Sequence, residues 1–91
     1  MALTPDKVDL RTDDRGRYYH ATREREVQKY NTSLSRCGVY LWVCYFGDKR
    51  EPYEAEEDVL APSKSEASAV MRAALKRDFD PRVTLTEVKL A

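Results

Sequence analysis

The sequence predicts a small α+β domain, a mixed or antiparallel sheet of three to five strands with one main helix over residues 64–79 packed on one face. Three observations carry this. Residues 39–46 (Val-Tyr-Leu-Trp-Val-Cys-Tyr-Phe) form an uncharged run of β-branched and aromatic side chains. Residues 62–66 (Pro-Ser-Lys-Ser-Glu) open an amphipathic helix. The chain has 91 residues, which is enough for one domain built as a single sheet-and-helix layer. The hydrophobic share of 42% and charged share of 35% sit near the globular norm and argue against wholesale disorder.

The elements follow in order. Residues 8–12 and 17–21 are short extended runs around Asp13-Asp14-Arg15-Gly16, the punctuation of a hairpin. Residues 22–30 (Thr-Arg-Glu-Arg-Glu-Val-Gln-Lys-Tyr) suit a helix capped by Thr22 or an exposed strand of alternating charge. They are expected to continue the strand from Arg17, pairing with the central strand or lying against an acidic hairpin arm.

Residues 39–46 are expected at the centre of the sheet. Alternation puts Val39, Leu41, Val43 and Tyr45 on one side and Tyr40, Trp42, Cys44 and Phe46 on the other, and both sides need cover. Gly47-Asp48-Lys49-Arg50 supplies turn chemistry, and residues 52–61 return as the second arm of a hairpin, with Pro52 at the strand start.

Ser63 is placed to accept from the first free amides of the following helix, with Glu66 reaching back to complete a capping box. Ala67, Val70, Met71, Ala74, Leu75 and Phe79 form its apolar stripe, and Asp80-Pro81 ends it. Residues 82–90 alternate imperfectly, as suits a strand at a sheet edge. A crossover helix makes this last strand parallel to the second and brings it to the free side of the central one. The core is therefore ββαβ, ordered second, first, last, with residues 1–36 as an N-terminal extension of one domain.

Several function classes lack support in the sequence. His20 is the single histidine, and no nucleophile-elbow, zinc-protease or paired-cysteine motif accompanies it. It reads as a surface or aromatic-packed residue. The three glycines, Gly16, Gly38 and Gly47, are too scattered for a phosphate-cradling loop. Cys37 and Cys44, seven residues apart in an extended segment, point to opposite faces and read as reduced thiols, Cys44 within the core. The acidic run 54–58 has no calcium-loop spacing and reads as a solvated edge strand. The expectation is a protein that is not an enzyme, with no cofactor, no metal, no membrane segment and a cytoplasmic location.

A formal net charge of zero hides a polarity. Residues 1–50 carry ten basic and seven acidic side chains, and residues 51–91 carry six and nine. Residues 15–36 hold six cations against Glu24 and Glu26, whereas residues 48–58 hold six carboxylates against Lys49 and Arg50. Tyr18, Tyr19 and Tyr30 interleave with Arg15, Arg17, Arg23, Arg25 and Lys29, the pairing enriched at protein interfaces. The same pairing suits single-stranded nucleic acid, although the acidic arm weakens attraction to a polyanion. The expected binding residues are these eight together with Trp42, Glu54, Glu56 and Glu57. If the helix covers the Leu41 side, the Trp42 side needs the N-terminal segment, a second subunit or a partner, and intramolecular cover is the expected answer.

The stretch Asp58-Val-Leu-Ala-Pro-Ser-Lys-Ser-Glu-Ala, a strand leading through a Ser-x-x-Glu cap into an Ala-rich helix and a further strand, resembles small phage and mobile-element α+β proteins. Among these are anti-CRISPR inhibitors, which act by occluding a host complex through charged surfaces. The resemblance covers about the last 50 residues, rests on architecture and transfers no residue role. It implies a phage-encoded accessory or inhibitor protein, at work in a host cytoplasm, that binds a protein or ribonucleoprotein. The rival readings are a nucleic-acid-binding module using residues 15–36 and a homodimeric structural protein.

Overall fold

The computed structural model describes residues 3–48, 50 and 53–91, with Tyr53 seen through its backbone. A 3₁₀ turn at Pro5–Lys7 precedes β1 (Leu10–Thr12) and β2 (Tyr18–His20); a second turn, Ala21–Arg23, leads into α1 (Glu24–Asn31). β3 (Tyr40–Asp48), β4 (Tyr53–Ala61), α2 (Lys64–Asp78) and β5 (Val83–Leu90) follow. The five strands form one mixed sheet ordered β1-β2-β4-β3-β5.

The expected ββαβ core is present. β3 is central, antiparallel to β4 on one side and to β5 on the other, so that β5 runs parallel to β4. The N-terminal hairpin also forms: Leu10, Arg11 and Thr12 pair with His20, Tyr19 and Tyr18. Its turn uses Gly16 at φ +80°, where a residue with a Cβ would be strained, and Asp13 Oδ1 accepts from the backbone amides of Arg15 and Arg17. Lys49 and Pro52, expected in the turn and at the strand start, and Glu51, counted in the acidic run, lie outside the described residues.

Residues 22–30 depart from the expectation. They fold as the end of a 3₁₀ turn and as α1, not as a strand, and β2 meets β4 in parallel only at Tyr18 and Val59. Val27 decides the outcome. One buried apolar residue on a charged helix suffices because Tyr19 and Leu60, packed with Val27 and flanked by Tyr30 and Leu41, accept it as a knob. The helix ends where Ser33 takes φ +65° and the Leu34 amide reaches back to the Lys29 carbonyl at 3.2 Å.

The second departure concerns which side of the sheet α2 covers. Phe46, Cys44, Val59, Ala61, Val88 and Tyr18 pack against Ala67, Val70, Met71, Ala74 and Leu75 of α2, with Trp42, Val8 and Leu10 at the margin. The Trp42 side is thus covered within the chain, by α2 and the N-terminal segment, and Trp42 Nε1 donates to the Ala61 carbonyl at 3.0 Å. The alternation of β4 explains the choice. Ala55, Val59 and Ala61 share the Trp42 side, whereas Glu54, Glu56 and Asp58 share the other, and an apolar helix stripe packs on the side free of a carboxylate row.

At the start of α2, Ser63 Oγ accepts from the Glu66 amide at 3.2 Å, as expected of a cap. The Glu66 carboxylate does not complete a capping box and is held instead by the Arg23 guanidinium. In β5 the pairing slips by one residue, because Tyr45 faces Glu87 while Phe46 faces Leu85. Thr86 is the extra residue, and its hydroxyl donates to the Tyr45 carbonyl at 3.0 Å.

Candidate functional site

The sheet face opposite α2 is only partly roofed. α1 lies over one end of it, on Tyr19, Leu60 and Leu41. Beyond α1 the half-buried Val43 and Tyr45 continue the apolar line of β3. Cross-strand register fixes their neighbours. Val43 sits between Asp58 and Lys89, Tyr45 between Glu56 and Glu87, and Gly47 between Glu54 and Thr84. Alternate residues along β4 are roughly 7 Å apart, so Glu54, Glu56 and Asp58 make a carboxylate row beside an apolar stripe. Among the described residues no cation lies within ion-pairing distance of these three. Lys89 stands 5.9 Å from the Tyr45 ring centroid and 3.6 Å from Glu87.

At the α1 end a groove runs between the helix terminus, the β1–β2 turn and the start of β3. Arg15, Arg17, Tyr30, Asn31, Leu34 and Leu41 line it. Leu34 is 58% exposed, a large apolar side chain presented by the turn that Ser33 creates. Arg15 is exposed beside it. Arg17 is buried and structural: its Nε donates to Asp13 Oδ2 at 2.8 Å, its guanidinium bonds Asn31, and it stacks 5.4 Å from the Tyr30 centroid. Burial works to raise the Asp13 carboxyl, but hydrogen bonds from the Arg17 amide and guanidinium and from Asn31 outweigh it and hold it below the usual range.

The structure separates the expected binding residues. Tyr18 and Tyr19 are buried on opposite sides of β2, Tyr18 under α2 with its hydroxyl 3.1 Å from Asp78 Oδ2, and Tyr19 under α1. Burial pushes both phenols above the ordinary tyrosine range, and for Tyr18 the bond to Asp78 adds to it. Arg23 is engaged by Glu66. With Arg17, these residues hold the fold, and all but the partly exposed Arg23 offer little surface. Arg25 and Lys29 are exposed, one turn apart on α1. Trp42 faces α2. Glu54 and Glu56 belong to the open face, whereas Glu57 lies on the α2 side opposite Cys44, its carboxyl raised by burial and by Asp58.

Comparison of the chain with protein-family models, with curated proteins and with solved structures finds no match. The site therefore stands on its own geometry.

Leu34, Leu41, Val43, Tyr45, Asp58, Glu87 and Lys89 were not among the expected binding residues. The parity of β4 was the available signal, because it places three acids on the side of Leu41, Val43 and Tyr45. Burial pushes the Cys44 thiol up to about 12, so it stays protonated at neutral pH. His20 Nδ1 accepts from the Asp9 amide at 3.0 Å, which ties the ring to the start of β1. Among the described residues no three His, Cys, Asp or Glu side chains gather as metal ligands, and no helix is long and apolar enough to cross a membrane.

Proposed function

We propose that this chain is a non-enzymatic binding protein that covers a surface of a larger protein or ribonucleoprotein, of the inhibitor kind its sequence resembles. The docking surface is the face opposite α2, from the Arg15–Leu34 groove to Tyr45. One observation carries the reading: beyond the part roofed by α1, the half-buried Val43 and Tyr45 lie open beside an anionic row, with the exposed Leu34 and Arg15 at the groove end of the same face. No ion pair among the described residues joins residues 15–36 to residues 48–58; Arg17 and Arg23 use Asp13 and Glu66. The two charge blocks of the sequence therefore do not neutralise each other through ion pairs among the described residues. Such a layout favours one partner and one orientation by electrostatic complementarity around an apolar centre.

The test is site-specific photo-crosslinking of the full chain in lysate of the native host, with and without nuclease. Probes replace Leu34, Val43 and, as a control on the exposed side of α2, Arg72. The expected outcome is discrete protein adducts from the first two positions only, unchanged by nuclease. Adducts that vanish with nuclease would transfer the site to nucleic acid, and equal labelling from Arg72 or no adduct at all would end the reading.

A further inference from the structure

We infer that the open end of this face, from Val43 to Gly47, receives a protein segment that is apolar along its centre and carries lysine or arginine on the flank that meets β4. The inference rests on the binding role above and names the chemistry of what binds. Val43 and Tyr45 form the floor, and α1 stops short of them. Glu54, Glu56 and Asp58 wall one side at two-residue intervals, and Glu87 and Lys89 wall the other. These five side chains net three negative charges, and among the described residues no cation offsets the β4 row.

That charge selects the occupant. A second copy docked with its own Val43–Gly47 end on this one would bring two carboxylate rows into one desolvated interface, and like charges there oppose association. Phosphate backbones and anionic lipid surfaces meet the same repulsion. A segment with cations on one flank instead pairs with the row, while its apolar side covers Val43 and the Tyr45 ring.

The experiment uses the isotope-labelled full chain titrated with two amphipathic 14-residue helical peptides, one of leucine and lysine and one of leucine and glutamate. Expected are saturable amide shifts at Val43, Tyr45, Gly47, Glu56 and Asp58 with the lysine peptide, weakening as salt is added. The glutamate peptide should bind at least tenfold more weakly. The charge-reversed triple variant Glu54→Lys, Glu56→Lys, Asp58→Lys should invert that preference, and the milder pair Glu56→Gln, Asp58→Asn should reduce it should the triple variant fail to fold. Shifts on the α2 side, equal binding of both peptides, no binding, or a preference unmoved by the milder pair would overturn the inference. If crosslinks at Val43 persist while the peptide result fails, the partner chemistry is wrong and the binding role stands. A peptide that binds as expected with no crosslinked partner removes the role instead.

Discussion

Arg23 and Glu66, forty-three residues apart in the chain, form a forked pair in which Nε donates to Oε2 at 3.0 Å and Nη2 to Oε1 at 3.1 Å. The pair pins the entrance to α1 onto the first turn of α2, so the two helices on opposite sides of the sheet share one tether around its end. The hydrogen bonds to Glu66 also hold the guanidinium firmly protonated.

A double-mutant cycle of Arg23→Ala and Glu66→Gln, followed by urea unfolding, measures this tether. Arg23 is 37% exposed, so screening keeps the coupling near the low end, about 1 kcal/mol, and smaller in high salt. Each single variant should also speed amide exchange in α1 more than in α2.

The Asp13–Arg17 pair is more deeply placed, with side chains 4% and 10% exposed. Asp13→Asn leaves Arg17 without its counter-charge and should cost about 3 kcal/mol at neutral pH. Because the folded state holds the Asp13 carboxyl below its ordinary value of 3.8, the stability it adds is complete above that value and lost as pH falls through the lowered one. The gap in melting temperature between the wild type and Asp13→Asn should therefore be full at neutral pH and narrow on acidification below about pH 4. A gap that stayed constant with pH would mean that the carboxylate charge is not what matters.

The two thiols differ in access. Cys37 is half-buried, whereas Cys44 is enclosed under α2 with its thiol pushed up to about 12. Native protein treated with iodoacetamide at neutral pH should take up one equivalent, on Cys37, and a second only after unfolding. Mass spectrometry of the alkylated chain reads this directly.

Gly16→Ala places a Cβ at φ +80° in open space, so the backbone alone is strained and the loss should be about 1 kcal/mol. Gly16→Asn should lose less, since asparagine tolerates the left-handed region. Thermal unfolding of the two variants ranks them.

The core was legible in the sequence because its signals agreed. The uncharged β3, the Ser63 cap and the crossover rule pointed to one arrangement, and that arrangement formed. α1 was not legible, since Arg23-Glu24-Arg25-Glu26 suits either state and the deciding contact joins Val27 to Leu60, thirty-three residues away. β5 looked irregular for a physical reason. Val83 and Leu85 keep one parity and Val88 and Leu90 the other, and the extra Thr86 brings all four to the same side. The binding residues were harder still, because Tyr18, Tyr19, Arg17 and Trp42 carry interface chemistry and are spent inside the fold. Side-chain type marks what a residue is able to bind, and only the packing determines whether it faces outward.

Thr86 also bears on how the protein behaves in company. β5 is one of the sheet's two edge strands and offers backbone donors and acceptors to any passing extended chain. An incoming strand in register with residues 87–90 would be one step out of phase with residues 83–85, so the added ladder stalls after a few rungs. A single inserted threonine thus works against edge-to-edge pairing along β5, and deleting it would leave a straighter rim.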